Sequence, residues 1–222
     1  MKRRIILFLG AIMIMIGIIA TSLGAAPYTR SIKPQPDPQW AKQAIAEMLQ
    51  KGLMVNYSGG FGSYRSITRG EMAFALTKLF KLDTGDIRFI KAPQATDYYG
   101  DVANNSQYAD AITMCAINNI FSTTGRQFRP NDSLTRMEAA VAIQNSFQAK
   151  KIQVFTTMQY PIYVDMAKIG DQLSSAMCFV SNSGMMQGYK NYFRPFSPLT
   201  RAEAACLLFR AGKTIEQCSP RK

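Results

Sequence analysis

Apolar residues recur along the chain at helical spacing, in pairs of runs separated by glycine-bearing segments. Ala41, Ala44, Ile45, Met48 and Leu49 fall on one face of a helix. Tyr108, Ile112, Cys115 and Ala116 do the same further on, and Leu173, Ala176, Met177 and Val180 make a third such face. Turn residues follow each one: Gly59-Gly60-Phe61-Gly62, Thr124-Gly125, and Gly184 with Gly188. A second helix then opens on Thr68, Thr135 or Thr200. The fourth, seventh and eighth residues after each Thr are Met72, Ala75, Leu76; Ala139, Ala142, Ile143; and Ala204, Leu207, Leu208. Every one of these is apolar, which is the stripe of a core-facing helix.

The starts of the second helices repeat one another. Ile67-Thr68-Arg69-Gly70-Glu71, Leu134-Thr135-Arg136-Met137-Glu138 and Leu199-Thr200-Arg201-Ala202-Glu203 line up, each with a Phe six residues earlier (Phe61, Phe128, Phe193). Self-similarity at this spacing marks a repeat architecture. Each Thr-x-x-Glu is a capping box. The Thr hydroxyl accepts from the amide of the Glu, and the Glu carboxylate accepts from the amide of the Thr. The aliphatic before each Thr can staple the helix entry. One helix–loop–helix unit cannot bury its own apolar face, whereas three packed together can. The pattern therefore predicts an all-α fold of three repeats, at 39–82, 96–149 and 160–213, joined by Lys81–Ala95 and Lys150–Gln159. A short polar tail, 214–222, follows.

The N-terminus reads differently. Lys2, Arg3 and Arg4 precede an uncharged run from Ile5 to Ala20 and small residues up to Ala26. This is the order of a secretory signal, with cleavage after Gly24. An uncleaved membrane anchor is the alternative, and both place the rest of the chain outside the cytoplasm. Residues 25–38, with Pro27, Pro34, Pro36 and Pro38, read as a stiff linker.

Charge narrows the partners. The chain carries 26 Lys and Arg against 14 Asp and Glu, a formal +12. Loss of the three N-terminal cations leaves about +9. An anionic partner is favoured, and export argues for a cell-wall polymer rather than nucleic acid. Membrane contact is expected only if the first segment is uncleaved, and a monomer is expected. The four cysteines, Cys115, Cys178, Cys206 and Cys218, permit two disulfides in an exported chain, with three pairings. Cys115, Cys178 and Cys206 equally suit small core positions. With no His and no Cys-x-x-Cys, neither a zinc site nor another metal site is expected, and no cofactor motif is present. Catalysis would need paired carboxylates or a nucleophile with its base. The acids are taken up as caps and helix starts, so a wall hydrolase is the weakest alternative.

Capping explains each Thr and Glu but leaves one residue over. Arg69, Arg136 and Arg201 take the first helical position, where a cation opposes the helix dipole at a cost of a few tenths of a kcal/mol, roughly. Open backbone amides, the dipole and a guanidinium together make an anion receptor. The plainer alternative is that each Arg pairs with an acid of a neighbouring repeat, or with its own Glu across the turn. Trp40 and Tyr108 open first helices and offer faces that suit sugar rings. The three Phe fit the repeat core.

These residues resemble the S-layer homology family. Trp40-Ala41, Asp101-Val102, Tyr108-Ala109, Val164-Asp165, Phe128-Arg129-Pro130, Phe193-Arg194-Pro195 and the three Thr-Arg-x-Glu turns carry the likeness. The resemblance implies a pseudo-three-fold spindle around a central helical bundle. It also implies non-covalent anchoring to an anionic, pyruvylated secondary cell-wall polysaccharide, with the turn arginines contacting the acidic sugar in grooves between units. By position these are Arg69, Arg136 and Arg201, with Trp40 beside them. Arg69 is expected to be the weakest, because Gly70 replaces the usual Ala and the first loop lacks its Pro. A tether joining membrane and wall is the second reading.

Overall fold

The computed structural model describes residues 36–123, 125–157, 159–165 and 169–218, with the backbone alone at Asp171 and Gln172. The expected signal segment and most of the linker lie outside these residues. Among the described residues the elements are a 3-10 turn, Gln39–Ala41, and seven α-helices. They are α1 (Lys42–Gln50), α2 (Arg69–Phe80), α3 (Ala95–Tyr98), α4 (Ala109–Ile117), α5 (Arg136–Ala149), α6 (Asp171–Asn182) and α7 (Arg201–Cys218). The strand-like pairings among these residues are isolated bridges. The fold is all-α, as the apolar pattern predicts.

The capping boxes form. Thr68, Thr135 and Thr200 accept from the amides of Glu71, Glu138 and Glu203 at 3.2 Å each. The three carboxylates accept from the Thr amides at 2.8–2.9 Å. All nine stripe residues of α2, α5 and α7 are buried. First helices end on a left-handed residue, Gly52, Asn119 or Gly184, the conformation that closes a helix most cheaply with Gly or Asn. Two features go beyond the pattern. The connector after α2 ends in a short helix, α3, and α7 continues to Cys218 instead of giving way to a polar tail at 214.

The repeats do not pack as self-contained hairpins. α4, from the second repeat, packs on α2 of the first. α6, from the third, packs on α5 of the second, and α1, from the first, packs on α7 of the third. Each first helix thus covers the second helix of the preceding repeat, and the order closes on itself. An open array needs polar caps at its ends; a closed ring of three has no ends to cap.

The backbone shows the same closure. Ile67 N–H donates to the Leu199 carbonyl (2.9 Å), Leu199 N–H to Leu134 (2.8 Å), and Leu134 N–H to Ile67 (3.0 Å). Three amides and three carbonyls satisfy one another in a cycle. The three side chains are fully buried, so these aliphatics serve the core where the repeats meet.

Candidate functional site: three arginine seams

Each Thr-Arg-x-Glu turn meets the loop of the following repeat. The amides of Arg69 and Gly70 donate to the carbonyls of Asp132 and Pro130 (3.0 and 2.8 Å). Those of Arg136 and Met137 donate to Ser197 and Pro195 (3.0 and 2.9 Å). Those of Arg201 and Ala202 donate to Arg65 and Ser63 (2.8 and 3.0 Å). With the third amide held by Thr, the first three amides of each helix are taken. The open helix N-terminus expected from the sequence is therefore closed by protein, and the Arg side chain is what remains.

That side chain is buried: 1% exposed at Arg69, 4% at Arg136 and 1% at Arg201. Each runs into the next repeat. Nε donates to the carbonyl of the loop Phe: Arg69 to Phe128 (2.7 Å), Arg136 to Phe193 (2.9 Å), Arg201 to Phe61 (2.9 Å). Nη1 pairs with the next capping Glu: Arg69 with Glu138 (2.7 Å), Arg136 with Glu203 (3.2 Å), and Arg201 with Glu71 in a very short contact. The carboxylate divides its work, since Oε2 caps its own helix while Oε1 receives the arriving guanidinium. Capping alone accounts for only half of each Glu. Breaking a buried pair of this kind costs about 3–5 kcal/mol, roughly ten times the dipole penalty at the first helical position. Pairing thus explains why a cation stands there.

The loops are built to receive the Arg. In the second and third copies the residue after Phe is Arg129 or Arg194, each at φ 58°. Asp101 holds that shape by accepting from the amides of Phe128 and Arg129 (2.8 and 2.6 Å), as Asp165 does for Phe193 and Arg194 (3.0 and 2.8 Å). The first copy has Gly62 at φ 71°, where no clamp is needed because Gly adopts this region freely. Its Ser63 carbonyl accepts from Ala202 as the proline carbonyls do elsewhere. The missing proline therefore removes no bond. Gly70 has its own reason: a Cβ there would lie 2.5 Å from the Tyr108 ring and 3.1 Å from the Pro130 carbonyl. Its bareness lets Tyr108 lie against the turn.

The seams differ at Nη2. In Arg201 it donates to the Val55 carbonyl (2.6 Å), and Tyr57 closes over the group. The Tyr57 hydroxyl donates to Glu71 (2.6 Å) and accepts from Arg201 Nη1 (3.3 Å), its ring 4.4 Å from the guanidinium carbon. Burial, then the bond to Glu71, raises the Tyr57 hydroxyl above the usual tyrosine value. A cavity of about 170 Å³ remains between Arg201, Glu71 and Tyr108. In Arg136, Nη2 donates to the Gln187 carbonyl at 2.9 Å. In Arg69, Nη2 is buried and has no partner among the described residues.

Arg69 also borders a larger cavity, about 390 Å³, with Glu138, Arg129, Phe121, Met137, Leu173 and Phe196 among its walls. Arg129 and Phe196 are exposed at 53% and 59%. Arg129 reaches Asp132 and Glu138 only at 3.7 and 3.9 Å. Burial, reinforced by the charge of Arg129 and opposed by Glu138, lowers the Arg69 guanidinium below the usual arginine value. Burial, opposed by Glu203, acts likewise on Arg136.

The other expected site residues lie apart from this cavity. Trp40 is 63% exposed, on a turn that packs against α7, the helix whose Glu203 receives Arg136. The four cysteines are free thiols, with Cys115 and Cys206 buried. Cys115 sits 3.6 Å from the Thr77 hydroxyl, and burial pushes its thiol up to about 12. Asp101, Asp165 and Tyr57 were not among the expected site residues. The Asp-Val and Val-Asp pairs mark the two clamps in the sequence, whereas nothing local marks Tyr57.

A closed ring of repeats, with a ligand-sized cavity at one seam and the three capping acids occupied by caps and ion pairs, has the architecture of a binding module. The S-layer homology domain profile matches residues 35–73, 98–140 and 162–205, more than half of the chain. The protein belongs to the S-layer homology domain family, whose domains bind cell-wall polymers and hold proteins at the cell surface. Relatives agree. The Surface-layer 125 kDa protein of Lysinibacillus sphaericus is 24% identical over 80% of this chain and 14% of its own length. Exoglucanase XynX of Acetivibrio thermocellus is 24% identical over 77% of this chain and 15% of its own length. The Amylopullulanase of Thermoanaerobacterium thermosulfurigenes is 23% identical over 77% and 9%. The chain spans less than a sixth of each, and the two enzymes match it only in the region of these repeats. No helix among the described residues is long and apolar enough to cross a membrane.

Proposed function

We propose that the protein attaches to a bacterial cell wall by binding an anionic secondary wall polysaccharide, with the acidic sugar seated at the Arg69 seam. The observation that carries this reading is Arg69 Nη2, buried without a partner among the described residues, beside a cavity of about 390 Å³. An unsatisfied buried N–H costs about 1–3 kcal/mol, and a carboxylate entering the cavity would remove that cost. Arg129, weakly engaged at the mouth, can turn to the same group and supply a second cation. Phe196 offers an exposed ring face to a sugar, and Phe121, Met137, Val141 and Leu173 make an apolar wall. Such a wall suits the methyl group beside the carboxylate of a pyruvyl ketal. Arg136 and Arg201, saturated by protein, serve first as rivets, and their seams are secondary sites at most. Trp40 supplies an exposed ring near the Arg136 seam.

The test is co-sedimentation of the protein with purified wall sacculi, native and chemically depyruvylated. Binding to native walls that weakens with salt and drops on depyruvylation is expected, since screening and loss of the anion act on the same contact. Equal binding to both preparations would sink the pyruvate assignment.

A further inference from the structure

A second cleft stands away from all three arginine seams. It lies between α5, α6 and the connector that leads from one to the other, and its volume is about 480 Å³. Ligand sites commonly measure about 300–1,000 Å³. Phe155, Tyr160 and Phe179 line it together with Gln144, Ser175 and Asn182, and among the described residues its walls hold no ionised side chain. In a chain of formal charge +12, an uncharged cleft cannot be matched to an acidic ligand. A carboxylate placed here would lose water and meet no cation, which is costly.

What the walls do offer is specific. Beyond the bonds that frame the cleft, the Asn182 carbonyl oxygen can accept, and one Gln144 N–H and the hydroxyls of Ser175, Thr156 and Thr157 can donate, as partners for sugar hydroxyls and acetamido groups. Phe155 is 94% exposed and Tyr160 59%. Both leave aromatic faces uncovered in a segment that would otherwise gain by burying them. The cleft is held open by its own frame. Asn182 Nδ2 donates to the carbonyls of Thr157 and Gln159 (2.9 and 2.7 Å), pinning the connector on α6. Gln144 Nε2 donates to the Ser175 hydroxyl (3.0 Å), joining α5 to α6. Phe179 is set in place by its edge contact with Phe147, 5.5 Å between ring centres. A preformed site lowers the ordering cost of binding.

We infer that this cleft is a second carbohydrate site, taking an uncharged, hydroxyl- and acetamido-bearing glycan strand. The protein would then hold two chemically distinct polymers, an acidic one in an arginine seam and a neutral one here. Two linked weak contacts to one wall give an avidity that neither has alone. The cleft inference does not depend on the assignment of the Arg69 seam.

The test uses the full chain, labelled for amide NMR, titrated with the uncharged tetramer of N-acetylglucosamine. Saturable shifts at residues 154–160, Ser175 and Asn182 are expected. Phe155→Ala with Tyr160→Ala should weaken binding tenfold or more while leaving the melting temperature and the binding of acidic polymer in place, because both rings are exposed. The inference is overturned if no saturable shift appears up to about 10 mM ligand. It is equally overturned if the shifts map to the Arg69 seam, or if the double variant binds the tetramer as the parent does.

Discussion

The Arg201 and Arg69 seams begin from the same five-residue motif and end differently. At Arg201 every guanidinium nitrogen has a partner, a tyrosine covers the ion pair, and a cavity of only about 170 Å³ remains. At Arg69 one nitrogen is left over beside a cavity more than twice as large. The turn itself does not decide between rivet and receptor. The loop of the next repeat decides, by supplying or withholding the last acceptor.

Substitutions should separate the two seams. Arg201→Ala breaks the buried pair with Glu71, leaves the Phe61 carbonyl without its partner and removes the bond to the Val55 carbonyl, so a loss of about 3–5 kcal/mol is expected in urea unfolding. Arg69→Ala removes two side-chain bonds fewer, and Glu138 is a third exposed and can take up water. Its cost should be lower by about 1 kcal/mol or more. Equal losses would mean that the two seams are not distinct in kind.

Gly70→Ala probes the tyrosine side of the comparison. The added methyl meets the Tyr108 ring and the Pro130 carbonyl, an overpacking that costs about 1–3 kcal/mol. The tighter clash is with Tyr108, on the Arg201 side of the turn, so the acidic polymer should still bind at Arg69, with only a small loss from the shift of Pro130. A thermal melt beside a binding isotherm reads both.

The smallest effect concerns Cys115, which packs against Ala73 and Thr77 of α2. Burial pushes its thiol up to about 12 from an ordinary value of 9.0, so the fold disfavours the thiolate. The stability tied to it is complete below pH 9 and is lost as pH rises from 9 towards 12. A melting temperature that falls over that window, and falls less in Cys115→Ala, is expected. At pH 8 Cys115 should react with a thiol reagent only after unfolding.

Much of this was legible in the sequence. The nine stripe residues, the capping boxes and the three-repeat plan follow from local spacing, and local spacing is what a single sequence displays. The partner of each Arg is not local. Arg69 meets the loop of the second repeat, and the altered loop of the first repeat, Phe61-Gly62-Ser63, receives Arg201 instead. The loop that bears on Arg69 is therefore that of the second repeat, Phe128-Arg129-Pro130, and not that of its own repeat. The closure of α1 onto α7 is what gives Arg201 its partners, and it joins residues 130 or more apart in the chain, such as Arg201 and Glu71. The Gly70 departure became intelligible only with Tyr108 beside it, another contact between repeats.

The central claim is that the unsatisfied nitrogen of Arg69 makes its seam the principal receptor. Calorimetric titration of purified acidic wall polysaccharide into the parent, Arg69→Gln and Arg136→Gln proteins, at a temperature where melts show all three folded, tests it directly. The account predicts that Arg69→Gln loses affinity by about tenfold or more, while Arg136→Gln stays within about threefold of the parent. Unchanged binding by Arg69→Gln, or a larger loss in Arg136→Gln, would contradict it.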